Sequence, residues 1–187
     1  MRKLYLFDFI TLDGLFDGPN GDLSWHNVDD EFHDFAIDQL NETDMILFGR
    51  RTYEMMAAYW TSETAIKNDP IVAGMMNNLP KLVFSRTITK AEWNNSQLIK
   101  ENVAEEISSL KAEPGKDIAI LGSSHLAVSF TEQNLIDEFR IMVNPVILGR
   151  GAPLFESLSR RLRLRLLRTR TFKSGNVLLW YEPSELK

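Results

Sequence analysis

Three short clusters in this chain combine glycine or a small hydroxyl residue with cations or free backbone donors: Gly49-Arg50-Arg51-Thr52, Ser85-Arg86 and Gly122-Ser123-Ser124. Each follows a short apolar run, at residues 45–48, 81–84 and 117–121, and the first and third open a helical pattern. A strand, a glycine turn and a helix start gather unpaired N–H groups at the positive end of the helix dipole, and arginines there complete an anion site. Phosphate is its natural occupant. Taken singly, each cluster is equally an ordinary turn with solvated arginines and a serine cap. The same grammar at three strand ends points instead to an extended phosphate-bearing ligand across the C-terminal edge of a sheet, as a dinucleotide would lie. Asp13 stands in Thr11-Leu12-Asp13-Gly14, just past an apolar strand at residues 4–10. It reads either as a turn-forming Asp before Gly or as a carboxylate on the ligand side of that edge.

These clusters need elements to hold them. Asp29 or Asp30 caps a helix running to about Asn41, with Phe32, Phe35, Ala36, Gln39 and Leu40 as its inward stripe. Its acids suit the helix N-terminus, and one acid of the Asp29, Asp30, Glu31, Asp34 group is a candidate to face a substrate. A helix from Thr52 ends near Trp60, and residues 61–78 read as irregular or weakly helical. Next come a short strand at 98–99 and a helix over 103–111 capped by Asn102. A helix over 126–133 opens on Ser123 or Ser124 as its cap, and a longer strand covers 135–143. In the following loop, Gly149 and Gly151 permit positive φ or close backbone approach. The alternation Arg161, Leu162, Arg163, Leu164, Arg165 predicts a half-buried strand, and Leu166-Leu167 breaks it as a bulge would. With a last strand at 177–181 it makes an antiparallel hairpin on an otherwise parallel sheet. The expected fold class is α/β, with one domain over residues 1–187.

Composition narrows the function classes. The 187 residues are 44% hydrophobic and 25% charged, enough apolar material for a real core. A net charge of −5 argues against bulk nucleic-acid affinity. With no cysteine, disulfides, thiolate catalysis and cysteine-bound metal are excluded. His33 stands without a second ligand at metal spacing, so no metal site is expected. The opening residues lack the pattern of a signal peptide, and no apolar run reaches the ~18 residues of a membrane span. The expectation is a cytoplasmic protein with no membrane partner.

In order along the chain, TLDG at 11–14, DMILFGRRTYE at 44–54, VFSRT at 83–87, ILGSSHL at 120–126 and LIDEFRIMVNPVILGRGAPLF at 135–155 resemble the dihydrofolate reductase superfamily. Within it the chain is most similar to the reductase domain of bifunctional riboflavin-biosynthesis deaminase-reductases and their stand-alone relatives. The resemblance implies a three-layer fold, a mixed mostly parallel sheet flanked by helices, that binds NADPH and passes hydride to a small heterocyclic or carbonyl substrate. It implies that Gly49, Arg50, Arg51 and Thr52 hold cofactor phosphate, and that Ser85 and Arg86, with Arg50, lie near the adenosine 2′-phosphate. Leu121, Gly122, Ser123 and Ser124 match the family's pyrophosphate turn, in which Ser123 replaces the usual second glycine. Asp13 corresponds to the aspartate beside the substrate, for contact or proton supply. A homodimer is implied by the same analogy. The alternative is a nucleotide-binding module on this fold without turnover.

Overall fold

The structure, a computed structural model, describes residues 1–184. In chain order its elements begin with β1 (Leu4–Thr11), β2 (Leu15–Asp17), α1 (Asp30–Asn41), β3 (Thr43–Gly49) and α2 (Arg50–Trp60). Next come α3 (Glu63–Asn68), α4 (Pro70–Asn78), β4 (Lys81–Phe84), β5 (Ser96–Ile99), α5 (Val103–Ala112), β6 (Asp117–Leu121) and α6 (Ser124–Glu132). β7 (Glu138–Asn144), β8 (Ala152–Pro153), β9 (Leu164–Thr171) and β10 (Val177–Pro183) complete the chain.

Eight strands form one sheet in the order β5-β4-β3-β6-β1-β7-β10-β9, and β2 pairs with β8 apart from it. The six strands from β5 to β7 run parallel, whereas β10 is antiparallel to both β7 and β9. Uninterrupted apolar runs make strands buried on both faces, because alternate side chains pack into opposite helical layers. Leu4, Leu6, Leu47, Ile118 and Ile120 meet Ile107 and Leu110 of α5 and Leu126 and Phe130 of α6. Phe7 and Ala119 pack with Phe35 of α1. Ile46, Phe48 and Val83 pack with Leu40 of α1, Tyr53 of α2 and Met76 of α4. The expected α/β class, mixed sheet and C-terminal hairpin are all present. Parallel pairing also brings the ends of β1, β3, β4 and β6 to one edge.

Several expectations need correction. Residues 61–78 are not irregular: Ser62 accepts the Ala65 N–H at 3.1 Å to start α3, and Asp69 accepts the Val72 N–H at 3.1 Å to start α4 at Pro70. Exposed Ile66 and Ile71 blur the helical stripe there. The strand expected at 161–165 begins only at Leu164 and is exposed rather than half-buried, because β9 is the sheet's edge. Its arginines lie along aromatic faces, Arg168 at 4.2 Å from the Trp180 ring and Arg170 at 4.5 Å from that of Phe172. The bulge is real: Trp180 pairs with Arg168 and Tyr181 with Leu166, leaving Leu167 unpaired. Asn102 holds the N-cap position of α5 in a left-handed conformation but makes no side-chain cap. No helix among the described residues is long and apolar enough to cross a membrane.

Candidate functional site

Strand register sets the order of groups along the C-terminal edge. Gly49 pairs with Phe84, Leu47 with Ile120, and Phe7 with Leu121, while the Gly122 N–H donates to the Phe7 carbonyl at 3.2 Å. Ser85, Gly49 and Gly122 therefore stand side by side, with β1 next in line. Three inter-strand steps of about 4.8 Å carry this row across ~14 Å.

Two helix N-termini open on the row, α2 after Gly49 and α6 after Ser123, and neither has a side-chain cap or an acid in its first turn. The other α-helices differ. Asp29, Ser62 and Asp69 cap α1, α3 and α4, and Glu105 and Glu106 stand in the first turn of α5. The first turn of α2 carries Arg50 and Arg51 instead, against the preference of the helix dipole. Arg50 meets Glu54 at 3.4 Å across exposed side chains, a contact of ~0–1 kcal/mol that an anion readily displaces. Arg51 and Arg86 are exposed and have no ion-pair partner among the described residues. Ser85 uses its hydroxyl locally, accepting the Thr87 and Ile88 N–H groups at 3.2 and 3.4 Å.

The two glycine turns interlock. Ser123, 6% exposed and at φ +72°, does not cap α6; its Oγ accepts the Gly49 N–H at 2.9 Å. Gly122 sits at φ +67°, and a Cβ there would stand a tight 3.1 Å from the Thr52 methyl, so glycine lets this turn close against α2 without strain. Gly49, Thr52, Gly122 and Ser123 are thus brought into one knot, while Leu121 ends the strand beneath it and Ser124 begins α6.

Asp13 is exposed yet committed. Thr11 Oγ1 donates to its Oδ1 at 2.6 Å, and the Leu148 and Gly149 N–H groups donate to Oδ1 and Oδ2 at 3.3 and 2.8 Å. The Thr11 hydroxyl and the Gly149 N–H hold its carboxyl below the usual range. It is an ionised acceptor that ties β1 to the loop after β7. Asp17, at the end of β2, accepts the Ala152 N–H of β8 at 3.1 Å, and Gly151 passes so close that a Cβ would lie 2.0 Å from the Asp17 carbonyl oxygen.

Of the acids near α1, Asp29 caps the helix, and Glu31 accepts from the Lys173 N–H at 2.8 Å and Arg170 at 3.1 Å. Asp30 and Asp34 are exposed, and His33 pairs with Asp69 at 3.0 Å. No group of three or more metal-binding side chains occurs among the described residues.

Sequence reasoning passed over two features. Phe9, at the end of β1, stacks on His26 at 4.5 Å and meets Phe32 at 5.0 Å, and Trp25 meets His26 edge-on. Burial lowers the His26 pKa to about 4, so the imidazole is neutral at physiological pH. The second is Asp8, 4% exposed within the central strand, whose Oδ2 has no hydrogen-bond partner among the described residues and whose pKa burial raises well above the carboxylate range. Its position in the apolar run at 4–10 was the available signal. An open hollow of about 840 Å³ lies at the opposite edge of the sheet, lined by Leu40, Met45, Met75, Arg2 and Asp44. Arg2 pairs with Asp44 there, and Lys116 donates to the Asn41 carbonyl at 2.7 Å, so those charges are already satisfied.

Comparison with known proteins bears on the family and the fold. The family model for the RibD C-terminal domain matches residues 2–178. The uncharacterised protein YyaP of Bacillus subtilis (strain 168) is 36% identical over 182 residues, covering 96% of this chain and 94% of its own. A putative riboflavin biosynthesis protein from Shewanella sp. PV-4 has a similar structure, with TM-score 0.76 and 23% identity, over 98% of this chain and all of that one. Dihydrofolate reductase from Enterococcus faecalis, solved with NADP(H), shares the fold at TM-score 0.63 and 14% identity, over 98% and 97% of the two chains.

Proposed function

The chain belongs to the RibD C-terminal domain family, and on that premise we propose that it is an NADPH-dependent reductase of a small heterocyclic or carbonyl substrate. The observation that carries the reading is the pair of uncapped, acid-free helix N-termini at neighbouring strand ends, with arginines where acids are favoured. The N–H groups of α2 and α6 would hold the pyrophosphate, within the turn made by Leu121, Gly122, Ser123 and Ser124. Arg50 and Arg86 would hold the 2′-phosphate, with Ser85 shaping the turn that presents Arg86, and Gly49, Arg51 and Thr52 complete the cradle. NADPH, when bound, supplies a hydride. The protein's part is to position the acceptor carbon and exclude water.

Phe9 and His26 stack nearly parallel, and Phe32 and Trp25 stand edge-on to them, an aromatic cluster at the end of β1 that would offer ring faces and edges to a planar heterocycle. Asp13, held ionised, fits a role in fixing the substrate-side loop and accepting a substrate N–H better than one in giving a proton. That commitment, with Asp29 and Glu31 also engaged, favours one second reading: a nucleotide-binding module without turnover. Titration with NADPH followed by NADPH-absorbance assays over pteridines, pyrimidine ribosyl compounds, quinones and aldehydes separates the two. Binding with oxidation of NADPH supports the reductase, and binding with no oxidation supports the module.

The reading includes a cytoplasmic location and a homodimer. Leu164, Leu166 and Leu167 are 40–49% exposed on the edge strand β9, an apolar strip that a second copy would cover. Light scattering should then return twice the 21.5 kDa chain mass, and Leu166→Lys should return one. A wild-type value of one chain mass sinks the dimer.

A further inference from the structure

We propose that Ser123 is a positioning residue whose hydroxyl latches the two phosphate turns together, acting through the Gly49 N–H rather than on the cofactor itself. The inference rests on the NADPH reading and deepens it.

Ser123 lies at φ +72° and ψ 66°, a left-handed conformation unfavourable to any residue with a Cβ and natural for glycine. It is 6% exposed, so solvent does not reward the hydroxyl. Nor does the hydroxyl cap its own helix, the usual reason for a serine at that place. It accepts the Gly49 N–H at 2.9 Å, from a turn 74 residues away in sequence. A local strain is therefore held in place by one long-range bond, and that bond joins the residue before α2 to the residue before α6.

The consequence is mechanical. Gly49 directly precedes Arg50, and Ser123 directly precedes the first N–H groups of α6. With the latch closed, the two helix N-termini are set at one separation before a ligand arrives, so binding need not order them. Without it, a ligand spanning both turns pays for that ordering, while a ligand reaching only the arginine end does not.

Two variants divide structure from positioning. Ser123→Gly loses the bond and relieves the strain, so its melting temperature should stay near wild type. Ser123→Ala loses the bond and keeps the strain, and should melt lower by roughly 2–4 °C for about one lost hydrogen bond in a chain of this size. In both, hydrogen exchange at the Gly49 amide should rise about tenfold. NADPH should bind roughly five- to tenfold more weakly in both, whereas adenosine 2′-monophosphate, which has no pyrophosphate, should bind within about twofold of wild type. Unchanged Gly49 exchange overturns the latch. Faster exchange with unchanged NADPH affinity makes the bond structural only and overturns its positioning role. Wild-type protein that binds no NADPH overturns the cofactor reading itself, an outcome distinct from both.

Discussion

The Arg50→Ala/Arg86→Ala double variant is expected to bind NADPH at least ~10²-fold more weakly than wild type while its NADH affinity moves by no more than about threefold. Each charge-assisted hydrogen bond to a phosphate is worth about 1.5–3 kcal/mol, and only NADPH carries the 2′-phosphate. Arg50 and Arg86 are free to make such bonds: Arg86 has no ion-pair partner among the described residues, and the exposed Arg50–Glu54 contact offers little competition. The variant should also fold. Removing a cation from the first turn of α2 relieves a repulsion with the helix dipole, so loss of affinity cannot be assigned to loss of structure if the melting temperature holds. Calorimetric titration of both nucleotides reads the result. Equal weakening of NADPH and NADH would place the arginines on the pyrophosphate instead and remove the basis for preferring NADPH.

The second large effect concerns stability. Asp8→Val should stabilise the protein at pH 7 by about 1–3 kcal/mol, because a buried carboxyl whose Oδ2 has no partner among the described residues is replaced by an apolar side chain suited to a strand. The dependence on pH has a definite sign. Burial raises the folded pKa of Asp8 above its unfolded value, so between the two the folded state holds a proton that the unfolded state has released. Wild-type stability contributed by this group is complete below the ordinary aspartate value of 3.8 and is lost as pH rises toward the folded pKa. Asp8→Val should lack that decline, so the gap between the two melting curves should widen with pH. Thermal melts from pH 4 to 8 test it. A variant that melts lower than wild type at pH 7 would mean that the carboxyl has a favourable partner.

What was legible in the residues is what is local. Gly49 and Gly122 stop apolar runs, and Arg50-Arg51 and Ser124 begin helical patterns, so the strand ends and helix starts could be located from neighbours alone. Parallel order then followed from the alternation of strand and helix. What was not legible depends on partners far along the chain. The Ser123–Gly49 bond spans 74 residues and the Gly149–Asp13 bond 136, and no spacing rule reports either. Ser123 and Ser124 offered two possible caps, and the hydroxyl turned out to serve another turn altogether. The β2–β8 pair escaped notice because strands of three and two residues carry no periodicity. At β9 the alternation of arginine with leucine identified a strand but not its burial, since an edge strand can lay arginine stems on aromatic rings and leave its leucines exposed.

Titration of the wild-type protein with NADPH and with NADH, read by intrinsic fluorescence and melting temperature, decides whether the paired helix N-termini and arginines hold this cofactor. Saturable binding of NADPH at micromolar concentration is expected, with a rise in melting temperature and NADH binding weaker by at least about tenfold. No change with either nucleotide at millimolar concentration would contradict it.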